Sequence, residues 1–119
     1  MKDTNLLNET IETLSNNGLT FDDVLWIGCK DYAITIDEFK KLANVKYDSG
    51  YGSPKVATDL KIVGEDWWLE REEYDGAEWW EFRSKPINPE RIKKINSLIV
   101  DERVTIGWSS LSEINEEDK

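Results

Sequence analysis

Apolar residues recur along the chain with two different periods, and each period predicts a different kind of element. Leu6, Leu7, Ile11 and Leu14 fall at helical spacing, with Asn8, Glu9, Glu12 and Asn16 on the polar side. Asp3 or Thr4 can cap this helix, and Asn17-Gly18 supplies its stop. Val24 to Cys29 is a short run of strand formers, Lys30-Asp31 turns the chain, and Tyr32-Ala33-Ile34 returns as a second strand. Thr35-Ile36-Asp37-Glu38 fits a capping box, in which hydroxyl and carboxylate satisfy reciprocal backbone donors. The helix that follows presents Ile36, Phe39, Leu42 and Ala43 inward and ends near Asn44.

Tyr47 to Pro54 holds two glycines and a proline and reads as a loop. Leu60 to Val63 is the next strand, and Gly64-Glu65 offers a tight turn. The strongest pattern follows, where two runs, Trp67 to Tyr74 and Ala77 to Arg83, flank Asp75-Gly76. Asp-Gly suits a two-residue type I′ turn, because both central positions need positive φ. Counting outward from Tyr74 against Ala77 places Leu69 opposite Phe82 and Arg71 opposite Trp80, with Trp67 on the same side. The other side carries Trp68 against Arg83, Glu70 against Glu81 and Glu72 against Trp79. A three-residue loop with a bulge would set Leu69 against Glu81, a poorer match.

Pro86 ends the hairpin. Asn88-Pro89 predicts a third helix, Asn as cap and Pro at the first helical position, burying Ile92, Ile95, Leu98 and Ile99 while Arg91, Lys93 and Lys94 face water. Val104, Ile106 and Trp108 alternate with polar or small residues as a final strand. The expected fold class is α+β, a curved antiparallel sheet of about five or six strands with the helices mainly on one face. Residues 1–111 are expected to form a single α+β domain, and 112–119 an acidic flexible tail.

Composition narrows the functional classes. The chain has 119 residues, enough for one domain to bury a core without metal or disulfide, and a single cysteine, Cys29. One cysteine permits no intrachain disulfide, and the start of the chain carries no secretion signal, so the expected location is cytoplasmic. No apolar run is long enough to span a bilayer, so no membrane association is expected. Twenty-five acidic against fifteen basic residues give a net charge of −10, which disfavours direct contact with nucleic acid. There is no histidine, so the usual general base and commonest metal ligand are missing.

Candidate chemistry is sparse. Cys29 lies in an apolar run with no histidine to activate it and reads as a small buried residue rather than a nucleophile. Glu70, Glu72, Glu73, Glu78 and Glu81 invite a glycosidase reading, but strand alternation puts carboxylates wherever a sheet meets water. The glycines before Lys55 lack phosphate-loop spacing, and neither a metal nor a cofactor site is expected. The six tryptophans remain. Trp26, Trp67, Trp80 and Trp108 fall on predicted core faces, whereas Trp68 and Trp79 fall on the other face of the hairpin. That face is either covered by further elements or is an aromatic patch ringed by charge, the composition of a protein-binding hot spot. Arg71 over Trp80 and Arg83 over Trp68 are candidate cation–π pairs.

The stretch Tyr47 to Gly52, then Leu60 to Gly64 and the double-tryptophan hairpin from Trp67 to Phe82, resembles small proteins of phages and prophages in Gram-positive bacteria. The resemblance covers the central third of the chain and brings no assigned activity or catalytic residue. It implies a context in which small acidic proteins act by binding a host or phage protein. The functional expectation is therefore a non-enzymatic, phage-type accessory protein that binds another protein, one with a basic surface, and inhibits a host nucleic-acid-binding defence system. Its contact residues would be Trp68, Trp79, Glu70, Glu72, Glu81 and Arg83. A glycan-binding module using stacked tryptophans and a phage structural protein are the alternatives.

Overall fold

The computed structural model describes residues 3–101 and 109–116. The chain divides into two compact units, Met1–Pro86 and Ile87–Lys119, where the sequence pattern had suggested one domain. The first unit is α+β. Its first strand, β1 (Asp3–Asn5), leads into helix α1 (Leu6–Asn16). A short turn of 3₁₀ helix, Phe21–Asp23, precedes β2 (Trp26–Gly28) and β3 (Ala33–Ile34). Helix α2 (Ile36–Ala43) and β4 (Lys46–Asp48) follow, then β5 (Lys61–Val63), β6 (Trp67–Tyr74) and β7 (Ala77–Ser84). Five of these strands form one antiparallel sheet in the order β3-β2-β5-β6-β7, and β1 pairs with β4 separately.

The expected hairpin forms in the expected register. Tyr74 lies opposite Ala77, Arg71 opposite Trp80, Leu69 opposite Phe82 and Trp68 opposite Arg83. Asp75 and Gly76 both take positive φ, 49° and 89°, as a type I′ turn requires. Gly64 marks the preceding turn, its N–H donating to the Trp67 carbonyl at 2.9 Å. A Cβ there would lie 2.1 Å from the Trp67 indole, so only glycine lets the ring fold back across the turn.

Both helices cover one face of the sheet. Ile27, Ile62 and Leu69 are fully buried in a row across three strands, joined by Leu6 and Leu14 of α1 and Phe39 and Ala43 of α2. Trp67 stacks on Phe82 with ring centroids 6.1 Å apart, closing one end of this core.

Several expectations are corrected here. The cap of α1 is Asn5, whose side chain accepts from the Asn8 N–H, while Asp3 and Thr4 pair as strand with β4. Lys46 to Asp48 is therefore strand where a loop was expected from Tyr47 onward. The buried line of α1 runs through Leu6, Thr10 and Leu14, leaving Ile11 exposed, because the Thr10 hydroxyl accepts the indole N–H of buried Trp80 at 2.9 Å. Leu42 points to solvent, since Phe39 and Ala43 already fill the space under α2. At the start of α2 the Thr35 hydroxyl accepts from the Glu38 N–H, one half of the expected capping box. Cys29 is half-buried rather than buried, lying just past the last residue of β2.

In the second unit no helix forms at Asn88-Pro89. Asn88 accepts from the N–H of Glu90, and Glu90 takes a φ of 61°, left-handed backbone that ends any helix at its first turn. Ile92, Leu98 and Ile99, expected in a buried stripe, are exposed. The Asn115 side chain clasps this segment, accepting from the N–H groups of Asn96 and Ser97 and donating to the Ser97 carbonyl. Leu111–Ile114, across the expected boundary between domain and tail, is a single helical turn, α3, with a reciprocal Ser110–Glu113 capping box. The expected strand at 104–108, with Trp108, lies outside the described residues.

Candidate protein-binding face

Strand pairing puts residues that are opposite one another on the same side of the sheet. On the side away from the helices, one row reads Trp26, Val63, Trp68, Arg83 and the next Gly28, Lys61, Glu70, Glu81. Glu72 with Trp79 makes a third row, and Tyr74 with Ala77 a fourth. All six residues singled out from the sequence thus share one face: Trp68, Glu70, Glu72, Trp79, Glu81 and Arg83. Helices α1 and α2 pack on the opposite face. Trp79 is 37% exposed and Trp68 half-buried.

Trp26 joins this face, 39% exposed, and is not a core residue as expected. The run from Val24 to Cys29 is apolar throughout, so its pattern carries no alternation to assign sides. The pairing of Trp26 with Val63, and of Ile27 with Ile62, decides it.

The carboxylates of the face are held in place. Trp68 donates its indole N–H to Glu70 at 2.6 Å, and Trp79 donates to Glu81 at 3.0 Å. Each bond spans two residues along its own strand and ties the indole to the carboxylate beside it. The Trp68 N–H holds the Glu70 carboxyl below the usual carboxylate range, helped by nearby Lys61 and Arg83. Arg83, opposite Trp68 and a candidate for a cation–π pair with it, lies 3.6–3.9 Å from Glu70, Glu72 and Glu81. It offsets the like-charge pairing of Glu70 with Glu81, which alone costs about 0.2–1 kcal/mol. The outcome is a half-exposed surface of three indoles around a carboxylate cluster.

The helix-covered face has its own charged group, which the sequence pattern did not single out. Arg71 lies over Trp80, 4.8 Å from the ring, in one of the two candidate cation–π pairs. Its guanidinium also pairs with Glu78 at 2.8 Å and Glu9 at 3.3 Å, and donates to the Tyr47 hydroxyl at 3.0 Å. Tyr47 in turn donates to Glu9 at 2.5 Å. The Glu78 carboxylate also accepts the N–H groups of Lys55 and Val56, which ties the 49–56 loop to the hairpin. Burial alone would lower the Arg71 pKa, but Tyr47, Glu9 and Glu78 outweigh it and hold the guanidinium charged. Desolvation, then the bond to Glu9, pushes the Tyr47 hydroxyl well above the usual tyrosine range. Every acceptor and nearly every donor here is spent on a neighbour, which makes the group a structural tie rather than a reactive centre.

No cluster of His, Cys, Asp and Glu suited to a metal ion occurs among the described residues, and no helix among them is long and apolar enough to cross a membrane. No protein-family model, curated protein or solved structure matches this chain.

Proposed function

We propose that this protein acts by binding another protein through the outer sheet face, with Trp26, Trp68 and Trp79 as apolar anchors. Glu70, Glu72 and Glu81 would meet basic side chains of the partner. The carrying observation is the three half-exposed indoles grouped around hydrogen-bonded carboxylates on a face that the unit's own helices leave bare. Rigid aromatics beside charge are what interface hot spots are made of. A net charge of −10 would steer the protein toward a basic surface.

The reading extends to an accessory role of phage type in the cytoplasm of a host cell. There the carboxylates would stand where phosphates sit, and the target would be a nucleic-acid-binding protein of the host defence. Photo-crosslinking from position 79 during expression in a Gram-positive host tests it. The expected result is one dominant adduct with a basic protein, lost in Trp68→Ala and in Glu70→Lys/Glu81→Lys, and competed by nucleic acid. An adduct that survives those substitutions, or none at all, would overturn the reading.

A further inference from the structure

The two edges of the five-stranded sheet differ in kind. One is β3, two residues long, and the other is β7, eight residues long. The type I′ turn makes Tyr74 and Ala77 a hydrogen-bonded pair. Trp79, Glu81 and Arg83 therefore turn their backbone groups toward β6, and Glu78, Trp80, Phe82 and Ser84 turn theirs outward. Two bonds fit this alternation. The Lys85 N–H donates to the Asp66 carbonyl at 2.7 Å on the β6 side, and the outward N–H of Glu78 donates to the Ser49 carbonyl at 2.9 Å. Past Glu78, no backbone among the described residues pairs with this edge. Phe82 is half-buried, and Arg83, Ser84 and Lys85 are exposed. The second half of β7 is thus an open edge of unpaired donors and acceptors.

We propose that this edge pairs antiparallel with the same edge of a second copy of the chain, Phe82 against Phe82. That register sets Glu81 of each copy opposite Arg83 of the other, twice over by symmetry, and Trp79 opposite Lys85. A shift of two residues sets Glu81 against Glu81 in one direction and Arg83 against Arg83 in the other, like charges face to face. Charged side chains often guard an edge strand, but here their alternating sign suits a reversed copy of the same strand. The Arg83 guanidinium lies 3.6–3.9 Å from the carboxylates of its own chain, too far for a hydrogen bond, and its side chain is 46% exposed. Its donors are thus available to Glu81 across the seam. The pairing also stops cleanly. Pro86, which has no N–H, falls opposite Glu78, whose N–H Ser49 already takes. Each copy spends its one long edge, so the assembly closes as a dimer. The charge of −10 on each copy opposes association, but salt screens it beyond about 8 Å, whereas the facing pairs are in contact. This interface does not depend on the outer face binding another protein.

The test is sedimentation velocity of the full chain at physiological salt, over concentrations up to about 1 mM, where even a weak complex is populated. The expected result is a reversible monomer–dimer equilibrium. Arg83→Glu and Glu81→Arg should each weaken it at least about fivefold, because each turns both facing pairs into like charges. Glu81→Arg also makes the chain less acidic, so relief of general repulsion predicts the opposite sign. Mixing the two variants makes the facing charges opposite again and should give a dimer with one copy of each. The double reversal Glu81→Arg/Arg83→Glu should dimerise by itself, and a misfolded variant could do neither. Trp68→Ala alters the outer face and should leave the equilibrium within about twofold, the range of surface substitutions away from a contact. A wild-type chain that stays monomeric, a stronger dimer in Glu81→Arg, or no rescue in both the mixture and the double reversal would overturn the proposal. A dimer lost in Trp68→Ala and kept in the two edge variants would move self-association to the outer face and reject it too.

Discussion

Arg71 and Glu78 sit on adjacent strands, 2.8 Å apart, with both side chains 4% exposed under the 49–56 loop and α1. They are not directly opposite: Arg71 faces Trp80, and Glu78 faces Glu73. The diagonal lets one guanidinium reach Glu78, Glu9 and Tyr47 together, and so joins the hairpin to α1 and β4.

Removing the cation should therefore cost far more than a surface ion pair. Arg71→Ala is expected to destabilise the protein by about 3–5 kcal/mol, since it strands buried Glu78 and Glu9. Arg71→Met/Glu78→Gln should cost less than Arg71→Ala, because it removes the more deeply buried of the two orphaned charges and keeps the side-chain volume. Urea unfolding of the two variants checks the order, and equal losses would contradict it.

Tyr47 makes the fold sensitive to alkali. Its hydroxyl titrates higher in the folded chain than in the unfolded one, so the unfolded state loses its proton first. Stability is then full below about pH 10, the unfolded value, and falls as pH rises through the interval above it. Absorbance at the tyrosinate band should show one ionisation step that appears only with unfolding, and Tyr47→Phe should abolish that step.

Thr10 holds the Trp80 indole and is itself tied to the Leu6 carbonyl at 2.7 Å. Thr10→Val keeps the shape but leaves a buried indole N–H without an acceptor, for an expected loss of about 1–3 kcal/mol. Thermal unfolding of Thr10→Val beside Thr13→Val separates this from a helix effect, because Thr13 bonds only within α1. Equal losses would place the cost in the helix.

Gly64→Ala should destabilise by about 1–3 kcal/mol through the clash with the Trp67 ring. Pairing it with Trp67→Leu, which withdraws the ring, should restore part of the loss. Strictly additive effects in chemical denaturation would argue against the contact.

The hairpin was legible because its information is local. Asp75-Gly76 selects the turn, and a period of two then sends each side chain to one face, so Trp68, Glu70, Glu72, Trp79, Glu81 and Arg83 were grouped correctly without coordinates. The α2 cap at Thr35 was legible for the same reason. Where a segment carried no alternation, as in Val24 to Cys29, only its neighbours could assign a side, and Trp26 went outward.

The sequence by itself determined the α+β class, the turn positions and the two faces of β6 and β7, because dihedral preferences and strand periodicity act over a few residues. Tertiary structure decided what met those faces. Thr10 replaced Ile11 in the core because a distant indole needed an acceptor, and β1 formed because β4 lay beside it. The Glu9–Arg71–Glu78 tie joins residues as much as 62 apart in sequence, and burial of charge at that separation has no local signature. The expected helix at Asn88 failed for the complementary reason. Its capping residues were present, but the stripe they would have opened stays exposed, and propensity without burial does not sustain a helix.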